Sequence, residues 1–270
     1  MTGKPQQFVS FEEFVLSAES YGMTLGELAE EAGVKVGNLH VVITGDGKFR
    51  FFSKDGTVPC PEGFEITNKI GNYVRELGVA NLTIPDSVKS IGYRAFSDCT
   101  SLSSVSIPSS VKSIRNFAFS YCTSLESVSI PSSVKTIGDY AFSNCTSLES
   151  ISVPNSVKSI GEGVFFACAS IRSVVIPSSV KSIGNHTFHN CTSLSNISIP
   201  NSVESIGNYA FSYCTFLSSI SIPDSVKSIG SGVFSDCTSL SSISIPDSVK
   251  SIGSRVFYNC TSLSDIPILD

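Results

Sequence analysis

The chain has 270 residues, 41% of them hydrophobic and 15% charged, with a formal net charge of −5. Positions 1–79 hold 7 basic and 11 acidic residues and positions 80–270 hold 11 basic and 12 acidic, so neither part has the bulk positive charge of a nucleic-acid or membrane-surface binder. No eighteen apolar residues run together and residues 1–14 contain no apolar run of seven, so the sequence as written predicts neither a membrane span nor a standard leader. This points to a cytoplasmic protein, or to a cell-surface or secreted one if a leader has been removed.

Residues 1–58 read as a small α+β N-terminal cap. Amphipathic stretches from Phe11 to Ser20 and from Leu25 to Ala32 predict two helices. Leu39–Thr44 and Lys48–Ser53, about the turn Gly45-Asp46-Gly47, predict a hairpin. A competing pattern exists. Thr24-Leu25-x-x-Leu28-Ala29-x-x-x-Gly33-Val34, followed by Leu39 and Gly45, resembles the helix-turn-helix of phage-repressor-type DNA-binding domains, and that resemblance implies a recognition helix over Val36–Ile43. The β-branched run Val41-Val42-Ile43-Thr44 and the acidic composition favour the hairpin.

Residues 59–84 read as a degenerate capping repeat. Lys69-Ile70-Gly71-Asn72-Tyr73-Val74 aligns with Ser205-Ile206-Gly207-Asn208-Tyr209-Ala210, and the segment is two residues short before Ile84-Pro85. Atypical terminal units are expected where a repeat array must stop exposing its core.

From Pro85 to the C-terminus a unit of 23 residues is written eight times. Pro recurs at 85, 108, 131, 154, 177, 200, 223 and 246, Phe from 96 to 257 and Cys from 99 to 260 at the same interval. In one unit, Leu102, Val105 and Ile107 alternate as a short strand with one buried face, and Pro108 ends it because it has no N–H to donate. A second extended piece points Val111 and Ile114 inward, and glycine at the next position in seven of eight units predicts a turn. Ala118, Phe119 and Cys122 complete the circuit. No unit can bury its own apolar face, so neighbours must stack. At the far end, Asp265-Ile266-Pro267-Ile268 predicts a terminal strand blunted by proline, with an end face open to self-association.

The signature I-P-x-S-V-x-x-I-G-x-x-A-F-x-x-C-x-x-L, running from Ile84 onward, resembles the BspA-like, or Treponema pallidum type, leucine-rich-repeat family. The resemblance covers about two-thirds of the chain. It implies a repeat solenoid of short parallel β-strands, mostly strand and loop, and a non-catalytic role in adhesion or host and partner binding. No nucleophile sits beside a base in a recognisable motif, so no catalytic residue is expected.

Eight cysteines in one register predict buried free thiols, because their Cβ vectors run side by side into the core and do not face one another. Cys60, between Pro59 and Pro61, is expected to be the most exposed. No cofactor is expected. His186, His189 and Cys191 make a poor metal set, since the cysteine belongs to the buried column.

The candidate binding residues lie where units differ. Two positions after the glycine the units read Arg94, Phe117, Tyr140, Gly163, His186, Tyr209, Gly232 and Arg255; four further on they read Asp98, Tyr121, Asn144, Ala167, Asn190, Tyr213, Asp236 and Asn259. With Phe166, Phe216 and Tyr258 nearby, the aromatic and arginine members form the predicted surface for a protein partner. The alternative is that these rings only pack on neighbouring units. Two further rows suit other ligands. Serines such as Ser104, Ser106, Ser127 and Ser129 form a flat hydroxyl face suited to a glycan, or simply to solvent. Lys89, Lys112, Lys135, Lys158, Lys181, Lys227 and Lys250, with Glu204 interrupting, form a row that suits a polyanion or nucleic acid, or again a solvated face.

Overall fold

The computed structural model describes residues 8, 11–21, 23, 25–36, 39–44, 47–53 and 56–264. The expected turn tip at Gly45-Asp46, Thr24 of the helix-turn-helix pattern and the expected terminal strand at Asp265–Ile268 lie outside these residues.

The cap has helices α1 (Phe11–Tyr21) and α2 (Leu25–Ala32). Strands β1 (Val34–Val36), β2 (Leu39–Ile43), β3 (Phe49–Ser53) and β4 (Gly56–Val58) then form one antiparallel meander in chain order. The recognition helix of the helix-turn-helix reading is therefore corrected, because Leu39–Ile43 is a strand. Period-two alternation decides it: Val42 and Phe52 join Phe14, Ala18, Leu28 and Ala29 in one core, while Val41, Ile43, Phe49 and Phe51 join the core of the repeat array. A helix could not divide adjacent residues between opposite sides in this way.

Next come β5 (Glu65–Ile66), helix α3 (Asn68–Leu77) and β6 (Asn81–Thr83). The alignment of Lys69–Val74 with Ser205–Ala210 is also corrected. Ile66, not Ile70, pairs with Ile91, and residues 69–74 are helical. Ile70, Tyr73, Val74 and Leu77 recur at i, i+3, i+4 and i+7 and all are buried, which is a helical stripe. Gly78 ends the helix at φ 64, its amide meeting the Arg75 and Val74 carbonyls. The Tyr73 hydroxyl donates to the Ala32 carbonyl at 2.8 Å, and the Thr83 amide donates to Gly47 at 2.9 Å, tying array to cap.

Each repeat contributes to two parallel sheets. In the first, β6 is followed by 104–106, 127–129, 150–152 and 173–175; a single bridge from Val175 to Ser198 leads on to the paired strands 219–221 and 242–244. The second runs from β5 through 90–91, 113–114 and 136–137, crosses single bridges at Ile160, and continues through 182–183, 205–206, 228–229 and 251–252. Pairing is in register, Ser127 opposite Ser104 and Ile206 opposite Ile229, so each column of the sequence becomes a line of like side chains. This architecture is the repeat solenoid of short parallel strands expected from the period.

Turns form the third side. The Phe column stacks ring on ring, with Phe119 and Phe142 at 5.3 Å and 3° and Phe188 and Phe211 at 5.3 Å and 8°. Beside it each thiol from Cys122 to Cys260 donates to the carbonyl of the preceding unit's phenylalanine, as Cys145 does to Phe119 at 3.2 Å and Cys168 to Phe142 at 3.1 Å, while Cys99 donates to the Gly71 carbonyl of helix α3. All nine cysteines are free; Cys60 is half-buried, and so is Cys260 at the array's end. Burial pushes the Cys168 and Cys214 thiols up to about 12, and backbone hydrogen bonds offset this only in part.

The recurrent glycine has a different cause from the one its position suggests. Gly92, Gly184, Gly207 and Gly230 do not have positive φ. They sit where a Cβ would run into the preceding unit's backbone, at 2.6 Å from the Ile66 carbonyl oxygen for Gly92 and 2.8 Å from that of Gly161 for Gly184. Close stacking, not turn geometry, excludes a side chain there.

Candidate partner-binding surface

The left-handed turns are in the two variable columns. Every one of their sixteen positions has positive φ, from Arg94 at 51° and Asp98 at 63° to Arg255 at 57° and Asn259 at 58°, with Gly163 and Gly232 the two glycines among them. Asp98, Asn144, Asn190, Asp236 and Asn259 suit this conformation, since short polar side chains tolerate it. Phe117, Tyr140, Tyr209, Tyr121 and Tyr213 do not; a bulky residue there costs roughly 1–2 kcal/mol.

For Phe117, Tyr140, Tyr209 and Tyr213 a ladder of rings offsets that cost. Tyr93 meets Phe117 at 5.9 Å, Phe117 stacks on Tyr140 at 5.3 Å and 5°, and Tyr140 meets Phe166 at 6.1 Å. Phe166 stacks on His189 at 4.9 Å and 8°, His189 lies 5.5 Å from His186, His186 stacks on Tyr209 at 5.2 Å, and Tyr213 meets His189 at 5.4 Å. Arg94 caps the ladder with its guanidinium carbon 5.3 Å from the Phe117 ring centre. The Tyr140 hydroxyl donates to Glu162 Oε1 at 2.8 Å; burial, and then this carboxylate, push the phenol up to about 12. Burial and the neighbouring His186 lower the pKa of His189, and Nδ1 of both imidazoles is buried without a partner among the described residues.

Of the predicted residues, Arg94, Phe117, Tyr140, Phe166, His186, Tyr209 and Tyr213 are brought into one contiguous ladder. His189, which joins its two halves, and Tyr93, which starts it, were not among them; the signal for both was proximity in sequence to the variable column. Tyr121, Phe216, Arg255 and Tyr258 are exposed but make no ring contact with the ladder among the described residues. The ring faces are largely used by one another, and yet Tyr209 and Tyr213 remain 40% and 46% exposed. The ladder thus packs between units and also presents ring edges to solvent.

The seven lysines of the row are all exposed. Lys181 Nζ lies 3.4 Å from Glu204 Oε1, a solvated pair of small energetic weight. On the first sheet's outer face the hydroxyls of Ser127, Ser129, Ser150 and Ser152 lie exposed, without partners among the described residues.

Comparison with known proteins places these features. The family model described as BspA type leucine rich repeat region, in 6 copies, matches residues 68–195 and 182–270. A T. pallidum leucine rich repeat protein of known structure is 34% identical, covering 69% of this chain and 78% of its own, with a TM-score of 0.57. A leucine-rich repeat protein from Eubacterium ventriosum is 26% identical over 84% of this chain and 69% of that one, with a TM-score of 0.55. A leucine rich cell surface protein from Faecalibacterium prausnitzii is 25% identical over 87% and 82%, with a TM-score of 0.50. No protein with a curated description matches the chain. No helix among the described residues is long and apolar enough to cross a membrane.

Proposed function

Because the chain belongs to the BspA-type leucine-rich-repeat family, we propose that it is a non-catalytic adhesion or interaction module whose aromatic ladder recognises a protein partner. The observation that carries this reading is the unbroken line of ring contacts from Tyr93 to Tyr213, in which Phe117, Tyr140 and Tyr213 stand on backbone that disfavours such side chains. Asn or Asp would hold these turns at lower conformational cost, as they do in the second column. Aromatic residues and arginine concentrate binding energy at protein interfaces because they bury large rigid surfaces at small entropic cost. A cell-surface relative in Faecalibacterium prausnitzii supports a role in contact with other macromolecules.

The test is affinity capture, with the wild-type chain and a Phe117→Ala, Tyr140→Ala, Tyr209→Ala chain as parallel baits, from lysates of the source organism and of any host. A protein held by the first and not the second, with the same circular dichroism for both, supports the reading. Equal capture by both overturns it.

A further inference from the structure

One surface concavity lies apart from the aromatic ladder. It is a trough of about 540 Å³ along the outer side of the second sheet in the C-terminal half, and residues 182–185, 205–208, 228–231 and 251–253 line it. Its floor is nearly free of side chains. Gly184, Gly207, Gly230 and Gly253 exclude a Cβ because units stack closely, so backbone, serine hydroxyls and, at the array's end, the partly exposed Ile252 form the bottom.

One wall presents hydrogen-bond donors. Asn185 Oδ1 accepts the Asn208 amide at 2.8 Å, and Asn208 Oδ1 accepts the Ser231 amide at 2.8 Å. Each carbonyl oxygen is thereby occupied, and each Nδ2 is left without a protein partner among the described residues. The hydroxyls of Ser182, Ser205 and Ser228 are likewise unpartnered. In the chain, exposed Lys181, Lys227 and Lys250 immediately precede the lining serines Ser182, Ser228 and Ser251, and the one acid of that row, Glu204, is paired with Lys181.

The N-terminal half differs at the same positions. There Ser90 bonds Ser113 at 2.9 Å and Asn116 Nδ2 donates to Asp139 at 3.3 Å, while Asp139 and Glu162 stand where Asn185 and Asn208 stand later. In that column carboxylates therefore replace two of the amide donors.

We propose that this trough binds a linear acidic glycan laid along the solenoid axis. Such a chain supplies carboxylate or sulfate oxygens to the lysines and amide donors, and ring hydroxyls to the serines, at a repeat commensurate with strands roughly 4.8 Å apart. This site is independent of the ladder and stands or falls separately from it.

The experiment is NMR titration of the full chain, observing the Asn185 and Asn208 side-chain NH2 signals, with a hyaluronan hexasaccharide, a heparin hexasaccharide and neutral cellohexaose. The trough predicts shifts of both signals with one or both acidic oligosaccharides, screened away by about 0.5 M salt, and none with cellohexaose. An Asn185→Asp, Asn208→Asp chain keeps the oxygens that hold the backbone but loses the NH2 donors, and its affinity should fall at least about tenfold. Absence of shifts with both acidic ligands overturns the proposal, as does equal response to cellohexaose. Undiminished binding by the double variant does the same. The wild-type shifts decide the matter even if that variant folds poorly.

Discussion

The Tyr140 ring lies directly over the Cα of Gly163, in the place a Cβ on that residue would occupy, and Gly163 itself has φ 56. Tyr209 and Gly232, at φ 62, repeat the arrangement three units later. Glycine in the variable column is thus the counterpart of the tyrosine one unit before it. Gly163→Ala is expected to cost about 1–3 kcal/mol, from left-handed strain and displacement of the ring. In a Tyr140→Ala background the steric part should vanish. Chemical denaturation of the two single variants and the double variant checks this, and simple additivity would contradict it.

Removing a ring from the core column should be more costly. Phe142 is fully buried between Phe119 at 5.3 Å and Phe165 at 6.2 Å. Phe142→Ala is expected to cost about 3–5 kcal/mol by leaving a cavity. Because contacts in a solenoid run only between neighbours, the melting curve should also separate into two transitions. An unchanged curve would refute the stacking account.

Thiol labelling reads the same core chemically. Cys60 and Cys260 are half-buried and the other seven cysteines are buried, their thiol pKa values raised by burial. Thiolate is the reactive form, so iodoacetamide at neutral pH should modify Cys60 and Cys260 first. The remaining seven should react at the rate of unfolding. Fast labelling of Cys145 or Cys168 in the folded protein would contradict the packing described.

The ladder should respond to pH. Burial lowers the folded-state pKa of His189 below its unfolded value, with His186 adding to the effect and Asp236 opposing it. The unfolded chain then binds the proton more readily. Its contribution to stability is therefore complete above the unfolded pKa and is lost as pH falls from about 7 toward the lower folded value. Melting temperature should drop over that interval, and less so in His189→Phe, which keeps the stack on Phe166. Identical pH profiles for the two chains would show that His189 titrates without consequence.

Much of this architecture is legible in the chain because a 23-residue period places each residue beside its own copy. Val128 above Val105 and Phe142 above Phe119 follow directly from counting. The glycine column was harder to interpret, since one unit read alone cannot show that Gly184 is pressed against the backbone of Gly161. The left-handed turns were concealed by Phe117, Tyr140 and Tyr209, residues that rarely adopt them; Asn144, Asn190, Gly163 and Gly232 were the available clues. Helix α3 was missed because Ile70-Gly71 imitates the Ile-Gly of the repeats, although Ile70, Tyr73, Val74 and Leu77 carry a helical spacing. The trough depends on which side-chain atoms remain unpaired, and no column pattern records that.

The most direct test of the ladder as binding surface is hydroxyl-radical footprinting of the wild-type chain, free and saturated with a captured partner. Tyr140, Tyr209 and Tyr213 should lose reactivity on binding, while Tyr21 of the cap, 62% exposed, keeps it. Protection confined to Tyr21, or to Phe216 and Tyr258 with the three ladder tyrosines unchanged, would place the partner elsewhere and contradict the account.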